Sequence, residues 1–141
     1  MYQHVLIPTD GSEGTQRAIK HAVALALELE ATVHALSVVE STGATKRDQL
    51  RADPEAEARD ALEPVTEAAD GADLEVTSTI REGVPAEEIL AYASENDVDM
   101  IVMATHGRTG LDHVLMGSVA EQVVRNSTVP VVTVRPTEEA T

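Results

Sequence analysis

Short apolar runs rich in Val, Ile and Leu alternate along this chain with longer segments whose apolar residues recur at helical spacing. The short runs are typical of buried strands, and the helical spacing is typical of helices that pack on one side. Strands that alternate with helices are joined by right-handed crossovers, which makes the strands parallel and covers both faces of the sheet. The sequence therefore predicts an α/β fold with a doubly wound parallel sheet.

The pattern predicts strands over residues 4–9, 32–39, 74–80, 98–104 and 131–134. Helices are expected over 12–30, 55–70, 85–96 and 118–125, with Val119, Val123 and Val124 on the inner face of the last. Pro64 predicts a break or kink in the second helix, because proline removes a backbone donor. We expect one domain over residues 1–141, with a mobile polar loop at 40–53 and a tail at 136–141.

The charge of the chain excludes several classes of partner. Ten basic and 25 acidic residues give a net charge of −15, and Tyr2 and Tyr92 are the whole aromatic content. Nucleic-acid backbones and anionic membranes are disfavoured by this charge, and base stacking needs more aromatic rings. Excess carboxylate with only two lysines resembles the proteins of salt-loving organisms, in which salt screens self-repulsion.

The absence of cysteine excludes disulfides, thiol nucleophiles and thiolate metal sites. Residues 1–10 lack the basic start and long apolar stretch of a signal peptide, and no window is apolar enough for a membrane span. We therefore expect a cytoplasmic protein. The five histidines are scattered, and the pair on one loop, His106 and His113, makes no metal site without a third ligand.

Two loops follow strand ends where ligands bind in open α/β sheets. The first, residues 8–12, reads PTDGS and lacks a dinucleotide fingerprint. Its Asp10 can accept hydrogen bonds from a ribose. Alternatively, Asp10 caps the first helix and forms a capping box with Glu13. Position alone leaves both interpretations open.

The second loop runs from Ala104 through Gly107 and Gly110 to Gly117 and Ser118. Glycines let backbone N–H groups approach an anion, and a helix begins at Ser118, so a phosphate site is one interpretation. Arg108 can add positive charge to such a site. Alternatively, the glycines only shape a long connection, and Ser118 forms a capping box with Glu121. The loop is not a Walker A sequence.

Three stretches carry a family resemblance: HVLIPTDGSEGTQRAIKHAVALA, LSVVE and REGVPAEEILAYASENDVDMIVMATHGRTGLDHVLMGSVAEQVVRNSTVPVVTVRP. In this order they resemble the universal stress protein family nearly end to end. Nucleotide-binding members carry G-x2-G-x9-G-[ST] after the fourth strand, and the matching positions here are Ala104, Gly107, Gly117 and Ser118. With alanine in place of the first glycine, the site is expected to survive where only space is needed, whereas affinity should fall where a positive φ is needed.

The resemblance implies that the protein binds ATP with Mg²⁺, has the strand order 3-2-1-4-5, and forms a homodimer through the strand at 131–134. Asp10 would contact the ribose, the Val38 backbone the adenine, and Ser118 and Val119 the terminal phosphate. His106 would brace the phosphate loop. The implied nucleotide-binding residues are Pro8, Thr9, Asp10, Val38, Met103, Ala104, His106, Gly107, Arg108, Gly117, Ser118 and Val119.

We therefore expect an ATP-binding sensor or regulator in the stress response, with slow ATP hydrolysis at most, because no residue is evident that would position water. One alternative is a stress protein that binds no nucleotide and acts through protein contacts as a homodimer, which Ala104 favours. Another is an adenine-nucleotide hydrolase or phosphotransferase, for which Asp10 or His106 would be required.

Overall fold

A parallel sheet with helices on both faces forms the framework of the molecule. The computed structural model describes residues 2–12, 14–40, 53–105 and 117–135. The strands are β1 (His4–Pro8), β2 (Thr32–Glu40), β3 (Val76–Gly83), β4 (Met100–Ala104) and β5 (Val131–Val134). The helices within these ranges are α1 (Thr15–Leu29), α2 (Pro54–Gly71), α3 (Pro85–Glu95) and α4 (Ser118–Asn126). All strand pairs are parallel, in the order β3-β2-β1-β4-β5, which confirms the predicted fold class and strand order.

The core consists of two apolar layers, one on each face of the sheet. Helices α1 and α2 pack on one face around Val5, Ile7 and Val65. Helices α3 and α4 pack on the other face around Leu6 and Leu36. Successive residues of β1 and β2 point to opposite layers, and both layers are apolar, so these strands read as continuous apolar runs.

Several predicted boundaries and burials differ from the structure. Strand β3 begins at Val76 and continues to Gly83, past the apolar run, because its backbone pairs with β2 up to Glu40. On α4, Val123 is fully buried but Val124 is 46% exposed, so the prediction that Val124 lies on the inner face is wrong. Ala120 packs inward in its place, one turn before Val123.

Of the two alternatives predicted at Pro64, a break in the second helix is wrong, and a kink stays a prediction. Helix α2 runs through Pro64 from Pro54 to Gly71. Proline removes one helical hydrogen bond, but Leu62 and Val65 on either side of it are buried against the sheet. Tertiary packing therefore holds the helix where local propensity disfavours it.

Parts of the predicted loop and tail lie outside the described residues, namely 41–52 and 136–141. At the far side of the loop, Asp53 is the N-cap of α2. Its Oδ1 accepts hydrogen bonds from the Glu55 and Ala56 amides at 3.1 and 3.2 Å. Within the described ranges, no helix combines the length and apolarity needed to cross a bilayer.

Candidate functional site

The strand order creates a switch point between β1 and β4. The chain leaves β1 for β2 on one side, and it returns from β3 to β4 on the other side of β1. The two connections diverge, and a crevice is left beyond the carboxyl ends of β1 and β4, which is where ligands bind in sheets of this kind. Pro8 ends β1 at this edge and Ala104 ends β4 there.

The turn after β1 is fixed by its own hydrogen bonds. The Gly11 amide donates to Thr9 Oγ1 at 3.2 Å, and the Ser12 amide donates to Asp10 Oδ1 at 2.9 Å. Gly11 has a φ of 81°, a left-handed conformation that glycine adopts without strain. Thr15 Oγ1 donates to the Ser12 carbonyl oxygen at 2.7 Å, which joins the turn to α1.

This turn does not contain the capping box that was one interpretation of Asp10. The N-cap of α1 is Gly14, which has no side chain, and no side chain caps the helix. Asp10 instead accepts the Ser12 amide, and its side chain lies at the half-buried edge of the crevice. The Ser12 hydroxyl oxygen is buried and has no hydrogen-bond partner among the residues described.

The backbone of Val38 faces the space beyond the end of β1. The Thr9 amide donates to the Leu36 carbonyl oxygen at 2.9 Å, and the paired segment of β1 ends at Pro8. Backbone groups two residues apart on a strand point the same way, so Val38 presents its N–H and C=O on the side of Leu36 that faces β1. Since β1 has ended there, this backbone edge faces the crevice.

At the end of β4, Ala104 adopts an ordinary strand conformation. It pairs with Val134, is 7% exposed and does not have a positive φ. The backbone here suits alanine as well as glycine, so a requirement for positive φ does not apply. Met103 points to the opposite face, where it is buried in the α3 and α4 layer.

The start of α4 reaches the same edge of the sheet. The Gly117 amide donates to the Thr105 carbonyl oxygen at 2.7 Å, which holds the helix start beside the end of β4. Gly117 is the N-cap, no side chain caps the helix, and Ser118 is exposed. The capping box with Glu121 is therefore not formed. The amides of the first helical turn lack a side-chain partner, which is the arrangement that favours an anion.

The structure brings the described site residues to one edge. Eight of the nine described residues of the predicted set lie at strand ends or at the start of α4 on the carboxyl side of the sheet, namely Pro8, Thr9, Asp10, Val38, Ala104, Gly117, Ser118 and Val119. The ninth, Met103, precedes Ala104 on β4, and its side chain packs in the α3 and α4 layer. His106, Gly107 and Arg108 fall outside the described residues.

Acidic side chains occupy one side of this edge. A cleft of about 280 Å³ lies between Gly11 and α2, and its lining includes Glu57 and Asp60. Carboxylates repel phosphate, so this side of the edge disfavours it. The opposite side carries the uncapped helix start at Gly117, where the helix dipole is positive. Within the described ranges, no three potential ligands cluster as a metal site.

Sequence reasoning missed a polar cluster elsewhere in the sheet. His4 Nδ1 lies 3.0 Å from His34 Nε2, and His34 Nδ1 lies 2.7 Å from the Tyr92 hydroxyl oxygen. The histidines are far apart in sequence, and only the pairing of β1 with β2 brings them together. The Tyr92 side chain is buried, with 3% exposure, and its hydroxyl is hydrogen-bonded to His34.

Comparison with known proteins agrees with this architecture. The model of the universal stress protein family matches residues 1–135. Universal stress protein MJ0531 of Methanocaldococcus jannaschii is 38% identical over 141 residues, which cover 96% of this chain and 83% of that protein.

Two solved structures share the fold over nearly the whole chain. That of MJ0577, a universal stress protein of Methanocaldococcus jannaschii, has a TM-score of 0.84 and 32% identity and covers 96% of both chains. A universal stress protein in complex with cAMP has a TM-score of 0.71 and 26% identity and covers 96% of this chain and 99% of its own. The match in sequence, strand order and length together shows that the chain belongs to the universal stress protein family.

Proposed function

We propose that this protein binds an adenine nucleotide, ATP with Mg²⁺, in the crevice between β1 and β4, and acts as a nucleotide-dependent regulator of the stress response in the cytoplasm. The observation that carries the proposal is the backbone edge of Val38, which faces the crevice beyond the end of β1. Its N–H and C=O have no backbone partner among the described residues, and such a donor and acceptor pair matches the hydrogen-bonding pattern of an adenine ring.

The charges at the edge support one orientation of the nucleotide. With adenine at Val38, the ribose lies at Asp10, whose carboxylate accepts hydroxyl hydrogen bonds. The triphosphate then extends away from Glu57 and Asp60 toward the uncapped start of α4 at Gly117. The buried Ser12 hydroxyl, which has no partner within the part of the chain that the structure describes, is a group that a bound ligand can satisfy.

Mg²⁺ would arrive with the nucleotide and supply charge neutralisation at the phosphates. Such an ion is usually held chiefly by phosphate oxygens and water, with few protein ligands. Ser118, exposed at the start of α4, is the described side chain best suited to contact the terminal phosphate.

The relative in complex with cAMP supports adenine nucleotides as the ligand class. That protein has 26% identity with this chain, and its fold is shared over 96% of this chain. Because the two ligands share adenine and ribose, the proposed contacts at Val38 and Asp10 apply to either nucleotide. The choice of ATP depends on the uncapped α4 start, which suits a longer phosphate chain.

Calorimetric titration with MgATP in molar KCl tests the proposal, after chromatography of the denatured protein has shown that no nucleotide co-purified. We expect saturable binding with one site per chain. Binding should also weaken little as KCl rises, because the backbone and helix contacts act at short range while salt screens the net charge of −15. Such salt tolerance would accord with a halophilic origin. Absence of binding to the folded protein would contradict the proposal.

A second candidate is a homodimeric interaction module that holds no nucleotide. It is favoured by β5, which lies at one end of the strand order, so no strand among the described residues pairs with its outer edge along Val131–Val134. Edge strands of this kind are usually paired or covered. We propose that β5 pairs with a second copy of the chain whichever candidate is correct. Titration with nucleotide therefore discriminates between the two candidate functions, whereas a measurement of the oligomeric state cannot.

A further inference from the structure

A chain of hydrogen bonds crosses the sheet from β1 to α3, away from the carboxyl edge. It joins His4 Nδ1 to His34 Nε2 at 3.0 Å, and His34 Nδ1 to the Tyr92 hydroxyl at 2.7 Å. The rings meet edge to face, with centroids 5.1 and 5.6 Å apart. His4 is half-buried at the amino end of β1, whereas His34 and Tyr92 are buried. The chain therefore leads from the margin of the sheet into its interior.

The charged groups around this chain come from each element packed against it. The Asp99 carboxylate, before β4, accepts the His4 backbone amide at 2.9 Å. From β3, the Arg81 guanidinium lies over the Tyr92 ring, 5.1 Å from its centroid, and forms ion pairs with Glu88 and Glu95 of α3.

The two histidines differ in their surroundings. Burial, and then the neighbouring His4 ring, lower the pKa of His34. Of the two rings, His4 is the one partly exposed to solvent, whereas His34 is buried, so a proton from solvent enters the chain at His4.

Neutral rings allow two directions of hydrogen bonding. A neutral imidazole has one N–H, so His34 must donate one of its two bonds and accept the other. In the outward direction, Tyr92 donates to His34 Nδ1, and His34 Nε2–H donates to His4 Nδ1. In the inward direction both bonds reverse, and Tyr92 becomes an acceptor from His34 Nδ1–H. Among the described residues the Tyr92 hydroxyl has no second partner, so only the outward direction uses its hydrogen.

We propose that His4, His34 and Tyr92 form a proton-responsive relay, in which one proton taken up at His4 reverses both hydrogen bonds. Protonated His4 has an N–H at both nitrogens, so it can only donate to His34 Nε2. His34 then keeps a single proton, which moves from Nε2 to Nδ1, and donates to the Tyr92 oxygen. The balance is one proton gained at His4, with none lost by His34 or Tyr92.

The relay accepts one proton only. If His34 were protonated as well, two N–H groups and two positive charges would face each other across 3.0 Å. The inward state also leaves the Tyr92 hydroxyl hydrogen without an acceptor, because the neighbouring Arg81 guanidinium is a donor. A buried donor without a partner is costly, so acidification weakens the attachment of α3 to the sheet at Tyr92.

The tautomers of the two histidines test this proposal directly. Imidazole ¹⁵N chemical shifts recorded across the acidic to neutral range distinguish Nδ1–H, Nε2–H and doubly protonated rings. We expect His4 to become doubly protonated while His34 stays neutral and changes from Nε2–H to Nδ1–H at the same midpoint. His21, exposed on α1, is an internal reference outside the relay. The proposal is overturned if His34 keeps one tautomer while His4 is protonated, or if His34 becomes doubly protonated with the hydrogen bond to His4 intact.

Two variants separate the relay from a merely structural role. In His4→Gln, which cannot titrate at the margin of the sheet, the tautomer of His34 should no longer change with pH. In Tyr92→Phe, the hydroxyl that favours the outward direction by donating to His34 Nδ1 is absent, so the titration midpoint of His4 should rise by about half to one pH unit. An unchanged midpoint in a folded Tyr92→Phe protein would contradict the relay. If Tyr92→Phe does not fold, the His4→Gln protein alone tests the proposal. A His34 tautomer that still changes with pH in His4→Gln would overturn it.

Discussion

Gly83 lies against the carboxylate of Glu88, so closely that a Cβ on Gly83 would be 2.8 Å from Glu88 Oε2. Gly83 ends β3 with a φ of 151°, a conformation that side-chain-bearing residues rarely adopt. The chain therefore turns from β3 into α3 through a residue that has to be glycine, while Glu88 folds back over it and pairs with Arg81.

Replacement of Gly83 by alanine should lower the free energy of unfolding by about 1 to 3 kcal/mol, the usual cost of a strained backbone conformation. Urea denaturation followed by circular dichroism measures this loss. Gly71→Ala is the matched control, because a Cβ on Gly71 meets nothing within 4 Å, and its stability should not fall. Equal stability of Gly83→Ala and wild type would show that the turn can relax.

Gly117→Val should reduce MgATP affinity by about a hundredfold or more by overpacking the phosphate site, while the protein stays folded. The φ of −63° and ψ of 157° at Gly117 suit any residue, so valine causes no backbone strain there. Calorimetric titration measures the loss, again with Gly71→Ala as control. Wild-type affinity in folded Gly117→Val would place the ligand elsewhere.

Ala104→Gly restores the glycine of the family motif, yet we expect no gain in MgATP affinity. Ala104 already has a strand conformation that does not require glycine. Glycine in a strand should instead cost about 0.5 to 1 kcal/mol of stability through the entropy of the unfolded chain. A marked increase in affinity would show that the methyl group of Ala104 obstructs the nucleotide.

Thr133→Pro should convert a dimer paired through β5 into a monomer. The carbonyl oxygens of Pro130 and Val134 accept from β4, so the alternating backbone turns the Thr133 N–H to the free edge. Proline there removes an outward donor and leaves the β4 ladder intact. Light scattering coupled to size-exclusion chromatography gives the mass. A dimer that persists in Thr133→Pro would place the interface on another surface.

The lowered pKa of His34 makes stability depend on pH. The folded-state pKa lies below the unfolded value of 6.5, so the unfolded chain binds more protons as the solution is acidified. The contribution of the neutral His34 side chain to the free energy of unfolding is therefore complete above pH 6.5, and it is lost as the pH falls toward the folded-state pKa. The free energy of unfolding then changes by at most about 1.4 kcal/mol per pH unit. Urea denaturation of wild type and His34→Gln at several pH values isolates this contribution. The same slope in both proteins would rule out His34 as its source.

The sequence contains enough information to predict the layers of this fold, but less to predict where individual helices and strands begin and end. Apolar runs such as that around Val5 and Val33 identify strands because both faces of the sheet are covered. The end of β3 is different, since Arg81 and Glu82 are charged and belong to the strand only because β2 pairs with them. Pro64 shows the same limit, because its helix continues through packing that local sequence does not report.

The candidate site was partly predictable, because strand ends in parallel sheets meet at one edge. Asp10 and Gly117 were identified from the residues that surround them, and the structure places both at that edge. The Val38 backbone faces the crevice because β1 ends before it could pair there. The apolar pattern of the sequence does not give the residue at which β1 stops pairing. The contact between His4 and His34 depends on strand register, and two isolated histidines in a sequence carry no signal of it.

The central position of β1 has a consequence for how the protein is made. Strand β1 pairs on one side with β2, which follows at once, and on the other with β4, which the ribosome produces about 5 to 20 s later at usual rates of synthesis. During that interval one edge of this short strand, apolar from Val5 to Pro8, stays unpaired on the nascent chain. Such an edge invites pairing with other chains, so protection by a chaperone is most valuable before Met100 emerges.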